Sequence, residues 1–147
     1  MTVGKYNFPV KKFEFFETTA DTGMILWGGS PADLFTNAVK ALNKLIFGDI
    51  SLAREGERLC LPCRVRGHDR ESLMVNLLTE VLCLQEIRDL EVMELKTFRV
   101  HKNLIQGEWI ARKPARMPIV VVKSITYHHL RVKRTLRGWN ARVVVDL

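Results

Sequence analysis

Two stretches of this chain carry apolar residues at helical spacing, and almost everything around them carries strand patterning. Leu34, Ala38, Ala41, Leu42, Leu45 and Ile46 recur as one stripe, the spacing that puts them on one helix face. The helix start is marked by Ser30-Pro31-Ala32-Asp33: Ser30 can cap, Pro31 suits the first helical position, and Asp33 stands three residues on from the cap. Gly48 is its stop signal. Gly67-His68-Asp69 reads as a turn in which Asp69 caps a second helix. That helix has a broad apolar face of Leu73, Leu77, Leu78, Val81, Leu82 and Leu84 and runs to about Arg88.

The remaining segments read as strands. Lys11 to Phe16 and Met24 to Trp27 form a hairpin with Thr18 to Gly23 between them. Leu59 to Val65 is a strand after a polar loop, Ser51 to Gly56. Leu90 to His101 and Leu104 to Arg112 are consecutive strands. Lys113 to Pro118 is a basic loop, Ile119 to Val122 a β-branched run, and Lys123 to Leu130 a further strand. Gly138 signals a turn before Ala141 to Asp146. The order implies an α+β fold with two helices packed on one face of a mainly antiparallel sheet. Parallel pairing of Leu59–Val65 would make that sheet mixed. A chain of 147 residues is one domain of ordinary size and needs no disulfide or metal to fold. We expect a single domain over residues 1–147.

No stretch reaches the ~20 apolar residues that span a bilayer, and the opening MTVGKYNFPV has no signal-peptide core. A cytoplasmic protein with no membrane partner is expected. Three cysteines without an export signal argue against a disulfide framework. The charge is uneven. Residues 1–98 carry 12 basic and 14 acidic side chains, whereas residues 99–147 carry 11 basic and two acidic ones, Glu108 and Asp146. The basic C-terminal third suits a polyanion such as RNA, or is a solvated surface.

Few constellations carry chemistry. Cys60-Leu-Pro-Cys63 is a CxxC, but residues three apart on a strand point to opposite faces, so two structural cysteines are the better reading. His128-His129 falls in a strand, with its rings on opposite faces. His68 and His101 have no partner at ligand spacing. Gly28-Gly29 before a helix reads as a turn. Trp109, Tyr127 and Trp139 suit core or interface better than base stacking. Asp21 lies in the loop Thr18–Gly23, Asp146 is penultimate, and Leu147 adds a terminal carboxylate. An oxygen-only cluster of these would suit Ca²⁺ or Mg²⁺ if the terminal strands are neighbours. Spacing alone does not bring them together, and a solvated loop aspartate is the plainer reading. A phosphoryl-transfer enzyme built on Asp21 and Asp146 would lack any nucleophile or base in a motif.

Phe15-Phe16-Glu17-Thr18-Thr19-Ala20-Asp21-Thr22-Gly23 resembles the N-terminal signature of the archease family, a short strand followed by His-Thr-Ala-Asp-x-Gly. Lys123-Ser-Ile-Thr-Tyr-His128-His129-Leu130 resembles its Lys-Ala-x-Thr-Tyr-His-x-Leu block. The ending Trp139 to Leu147 and the pair Gly107-Glu108 fit as well. The resemblance implies a small α+β protein that activates an RtcB-type RNA ligase in tRNA splicing and RNA repair. It would promote guanylylation and repeated turnover of the ligase, as a protein cofactor and not as an enzyme. It implies a metal site at Asp21, Asp146 and Leu147, for Ca²⁺ first and Mg²⁺ or Mn²⁺ after it. Lys123 and His128 are implied as contacts to a phosphate or to the ligase. Departures stand beside these matches: Thr18 replaces the signature histidine, and His129 stands where an aspartate is frequent. The alternative function is a basic RNA-binding module on the same fold.

Overall fold

The computed structural model describes residues 11–49, 57–114 and 117–147. The expected loop Ser51–Gly56 and the middle of the loop Lys113–Pro118 lie outside them. Among the described residues there are eight strands and two helices, in the order β1 (Phe13–Glu17), β2 (Thr22–Gly28), α1 (Pro31–Phe47), β3 (Arg58–Arg66), α2 (Arg70–Arg88), β4 (Glu91–His101), β5 (Leu104–Arg112), β6 (Ser124–Ile125), β7 (Arg131–Thr135) and β8 (Gly138–Asp146). The fold is α+β with every strand pair antiparallel. The one sheet expected from the sequence is realised as two. One has the order β1-β2-β8-β6, with β7 also on β8, and the other has the order β3-β5-β4. β3, the candidate for parallel pairing, runs antiparallel to β5.

Both helices start where the sequence places them. The Ser30 hydroxyl accepts from the Asp33 amide at 3.1 Å, with Pro31 in the first turn. The Asp69 carboxylate accepts from the Ser72 amide at 2.7 Å, and the Ser72 hydroxyl accepts from the Asp69 amide at 3.1 Å. This reciprocal box satisfies amides that have no partner inside the helix. The Ser72 amide and hydroxyl hold the Asp69 carboxyl below its usual range, because hydrogen bonds to the charged form favour it.

The core forms between the helix stripes and the sheets. Leu34, Ala38, Ala41, Leu42 and Ile46 of α1, and Leu73, Leu77 and Leu78 of α2, are at most 1% exposed. Burying one such leucine contributes about 1.5–3 kcal/mol. α1 packs against both β2 and β4, so it joins the two sheets. Polar contacts fix it on both sides. The Asn37 amide donates to the Trp27 carbonyl of β2 at 2.7 Å. The Asn43 amide donates to the Val92 carbonyl and to Glu91 of β4, each at 3.0 Å. Glu91 in turn pairs with Arg112 of β5 at 3.2 Å, both buried.

Two segments depart from the sequence reading. Ile119–Val122 forms no strand: the Ile119 and Val120 amides donate to the Ile46 carbonyl of α1, at 2.7 and 3.3 Å. The run satisfies a C-terminal helix carbonyl instead of joining a ladder. The strand expected over Lys123–Leu130 is only Ser124–Ile125.

The Asp69 cap yields a pH-dependent prediction. Its folded pKa is depressed, so the stability it contributes is present above the ordinary carboxylate value of about 4 and is lost as pH falls through the folded value. Asp69→Ala should lower Tm at neutral pH, and the difference from wild type should shrink in acid. Thermal melts followed by circular dichroism across pH check this.

Candidate functional site

The site is set by the pairing of β2 with β8. The register runs from Gly28↔Trp139 to Thr22↔Val145, and Asp21 and Asp146 are the residues immediately beyond that last pair. Two carboxylates far apart in sequence thus flank one end of one ladder. β6 secures the other side of β8: Ser124 pairs with Asp146, and the Lys123 amide donates to the Asp146 carbonyl at 2.7 Å.

The loop before β2 is tightly knit. The Thr18 hydroxyl accepts from the Asp21 amide at 2.9 Å and from the Ala20 amide at 3.3 Å. The Thr18 amide donates to the Asp21 carbonyl at 2.7 Å. Thr18 therefore acts as a short turn-forming side chain at the place where the archease signature has histidine. Gly23, the second residue of β2, is glycine for a steric reason. A Cβ there would collide with the Val143 carbonyl of β8 and with the Phe16 ring. The Arg142 guanidinium lies over that same ring, 4.5 Å from its centroid, a cation–π contact.

His128 reaches Asp21. Its Nε2 is 3.6 Å from the Asp21 carboxylate, whose side chain is 22% exposed. The placement of His128 and His129 corrects the sequence reading. They sit in a turn after β6 and not in a strand. The His128 amide donates to the Thr126 hydroxyl, His129 adopts φ 50°, and the two rings lie 4.1 Å apart. They are neighbours, tilted by 57° to each other, where strand neighbours would point apart.

Of the expected site residues, Asp21 and His128 are in contact, and Asp146 is joined to Lys123 through the main chain. The Lys123 side chain is exposed and, among the described residues, forms no ion pair. Leu147 is 46% exposed. Among the described residues no group of three or more His, Cys, Asp or Glu side chains is gathered to hold a metal. The donors at this end are carboxylate oxygens with one imidazole alongside, a set that fits a hard cation such as Ca²⁺. The His128–Asp21 contact had a signal in the sequence, since both residues lie in family blocks, but their pairing needs the turn that follows β6.

The other candidates stay structural. Cys60 is exposed and Cys63 buried, on opposite faces of β3. Burial, with the Glu80 charge adding to it, pushes the Cys63 thiol up to about 12, which makes it a poor nucleophile or ligand. The His68 carbonyl accepts from Asn103, and His101 ends β4. Gly28 forms a tight strand-to-helix turn, because a Cβ there would meet the Leu34 backbone.

Fold and site together define a small α+β protein with two carboxylate-bearing residues, Asp21 and Asp146, just beyond one end of a β ladder. The family model of the Archease protein family matches residues 13–147, and the chain belongs to that family. The archease of Methanosarcina mazei is 30% identical over 146 residues, with 93% of this chain and 97% of the relative covered. The archease of Methanopyrus kandleri is 34% identical, covering 92% and 99%. The solution structure of Methanobacterium thermoautotrophicum protein 1598 matches with a TM-score of 0.69 at 25% identity, covering 92% and 99%. A crystal structure from Thermotoga maritima, of an archease and possible chaperone, matches in fold with a TM-score of 0.63 at 18% identity, covering 90% and 94%.

The steric role of Gly23 is open to test. Gly23→Ala should destabilise by about 1–3 kcal/mol, the cost of overpacking a tight site. Urea unfolding measures the loss, and faster hydrogen exchange confined to the β2–β8 ladder would locate it.

Proposed function

We propose that this protein is a non-enzymatic activator of an RtcB-type RNA ligase, working in the cytoplasm in tRNA splicing and RNA repair. In this reading it promotes guanylylation of the ligase and keeps it turning over. The observation that carries the proposal is the placement of Asp21 and Asp146 immediately beyond the last β2–β8 pair, with His128 against Asp21. Membership of the archease family supports it. Among the described residues no helix is long and apolar enough to cross a membrane.

Each residue has a part. Asp21 and Asp146, with the carboxylate of Leu147, would hold a divalent cation, Ca²⁺ best matching an all-oxygen set. Such an ion supplies positive charge for phosphate oxygens. Thr18 fixes the main chain on which the Asp21 carboxylate is presented. His128 lies where its ring can orient that carboxylate or, when protonated, neutralise it. Lys123, held by its amide to β8, offers an ammonium to a phosphate or to a carboxylate of the ligase.

The test is guanylylation of the cognate ligase with a catalytic amount of this protein. Wild type should speed formation of the ligase–guanylate. The double variant Asp21→Ala, Asp146→Ala should lose that stimulation about tenfold or more, as removal of metal-site groups does, while keeping its circular dichroism spectrum. Full stimulation by the folded double variant would remove the two carboxylates from the role.

A further inference from the structure

A second feature lies at the opposite end of the same ladder. β2 runs from Thr22 to Gly28 and β8 from Gly138 to Asp146, so the Gly28–Trp139 end is about 20 Å from the carboxylates at the rise of an extended strand. There Lys11 and Lys12 just before β1, the first turns of α1 and the β7–β8 hairpin line an open cleft of about 970 Å³. Its walls carry Lys11, Lys12, Lys40, Arg134 and Arg137 against one carboxylate, Asp33. Lys11 is engaged by Glu14 at 2.9 Å. Among the described residues, Lys12, Lys40, Arg134 and Arg137 form no ion pair.

We infer that this cleft binds single-stranded RNA through its phosphate backbone. Four cations with no ion pair among the described residues, spread over three parts of the fold, match a chain of phosphates better than one compact anion, which would call for convergent donors. An aromatic surface accompanies them. The half-buried indole of Trp27 lines the cleft, as stacking platforms line basic single-strand grooves. Trp139 also lines it, but the Arg70 guanidinium lies over its ring at 4.6 Å, so Trp27 is the platform. An acidic protein segment would match the charges as well, so polyglutamate of matched charge is the competitor that separates the two. The charge excess of residues 99–147 reaches the cleft only through the β7–β8 hairpin. Lys11, Lys12 and Lys40 come from the part of the chain whose net charge is slightly negative.

This binding requires no ligase, so its test is read without one. The probe is a labelled single-stranded RNA of about 12 nucleotides, within the span such grooves cover, followed by fluorescence anisotropy. Wild type should bind with an affinity that falls steeply with salt, with a log–log slope of about −2 to −3 for three or four phosphates. Lys12→Glu, Arg134→Glu, Arg137→Glu together should weaken binding about tenfold or more. The same charge change on the other sheet, Arg64→Glu, Lys96→Glu, Lys102→Glu, should cost much less. Trp27→Ala should weaken binding roughly tenfold, with Trp27→Phe restoring most of it. Circular dichroism confirms that each variant is folded. Equal losses in the two triple variants, no binding at low salt, or equally effective competition by polyglutamate of matched charge would each overturn the inference.

Discussion

The antiparallel ladder between β2 and β8 is the constraint on which the rest depends. It joins a strand from the first thirty residues to the last strand of the chain, and it fixes what stands at each end. At one end it sets Asp21 next to Asp146. At the other it opens the cationic cleft around Trp27 and Trp139. A slip of one residue would turn Met24, Leu26, Ala141 and Val143 out of the core, since side chains alternate across a strand. All four are fully buried, so the apolar pattern locks the register that positions the carboxylates. Gly23 permits the approach, because its missing Cβ leaves room for the Val143 carbonyl and the Phe16 ring.

α1 carries that arrangement into the second sheet. Its apolar stripe supplies most of the attachment, and three polar side chains set its orientation: Thr36 and Asn43 toward β4, Asn37 toward β2. Asn43 also meets the buried Glu91–Arg112 pair. Such a pair contributes little net stability by itself, because desolvation offsets the attraction. Removing one partner, however, strands the other charge in the core. The network therefore acts as a register pin between β4, β5 and α1.

Much of this was legible in the residues. Ser30-Pro31 and Asp69 mark both helix starts because capping chemistry is local, and the helical stripes name the buried faces. Long strands such as β4, β5 and β8 announce themselves by apolar, β-branched patterning. β7 did not, since Arg131, Lys133 and Arg134 leave it a single buried apolar residue, Val132. The His128–His129 turn was hidden because Thr and Tyr before it favour strand, whereas the Thr126 hydroxyl accepts from the His128 amide and donates to the Val144 carbonyl, bending the chain away from β8. The division into two sheets depends on which strands meet across α1, which no local pattern encodes. The placement of Asp21 and Asp146 beyond the same end of the β2–β8 ladder is of the same long-range kind, and only family resemblance singled the two out. The basic cleft was invisible for a related reason: its cations are spread from Lys11 to Arg137 and line one cleft only when the residues leading into β1, α1 and the β7–β8 hairpin are folded together.

Carboxylates carried by the two strands of one ladder, Asp21 before β2 and Asp146 at the end of β8, are proposed to act as a single cation site. The most direct measurement is the shift in Tm on adding Ca²⁺ to wild type, Asp21→Asn and Asp146→Asn. A ligand that binds only the native state stabilises it by an amount that grows with the logarithm of its concentration over its Kd, and so raises Tm. One shared site predicts a clear rise for wild type that either single substitution abolishes. An undiminished rise in both variants, or no rise in the folded wild type, would contradict it.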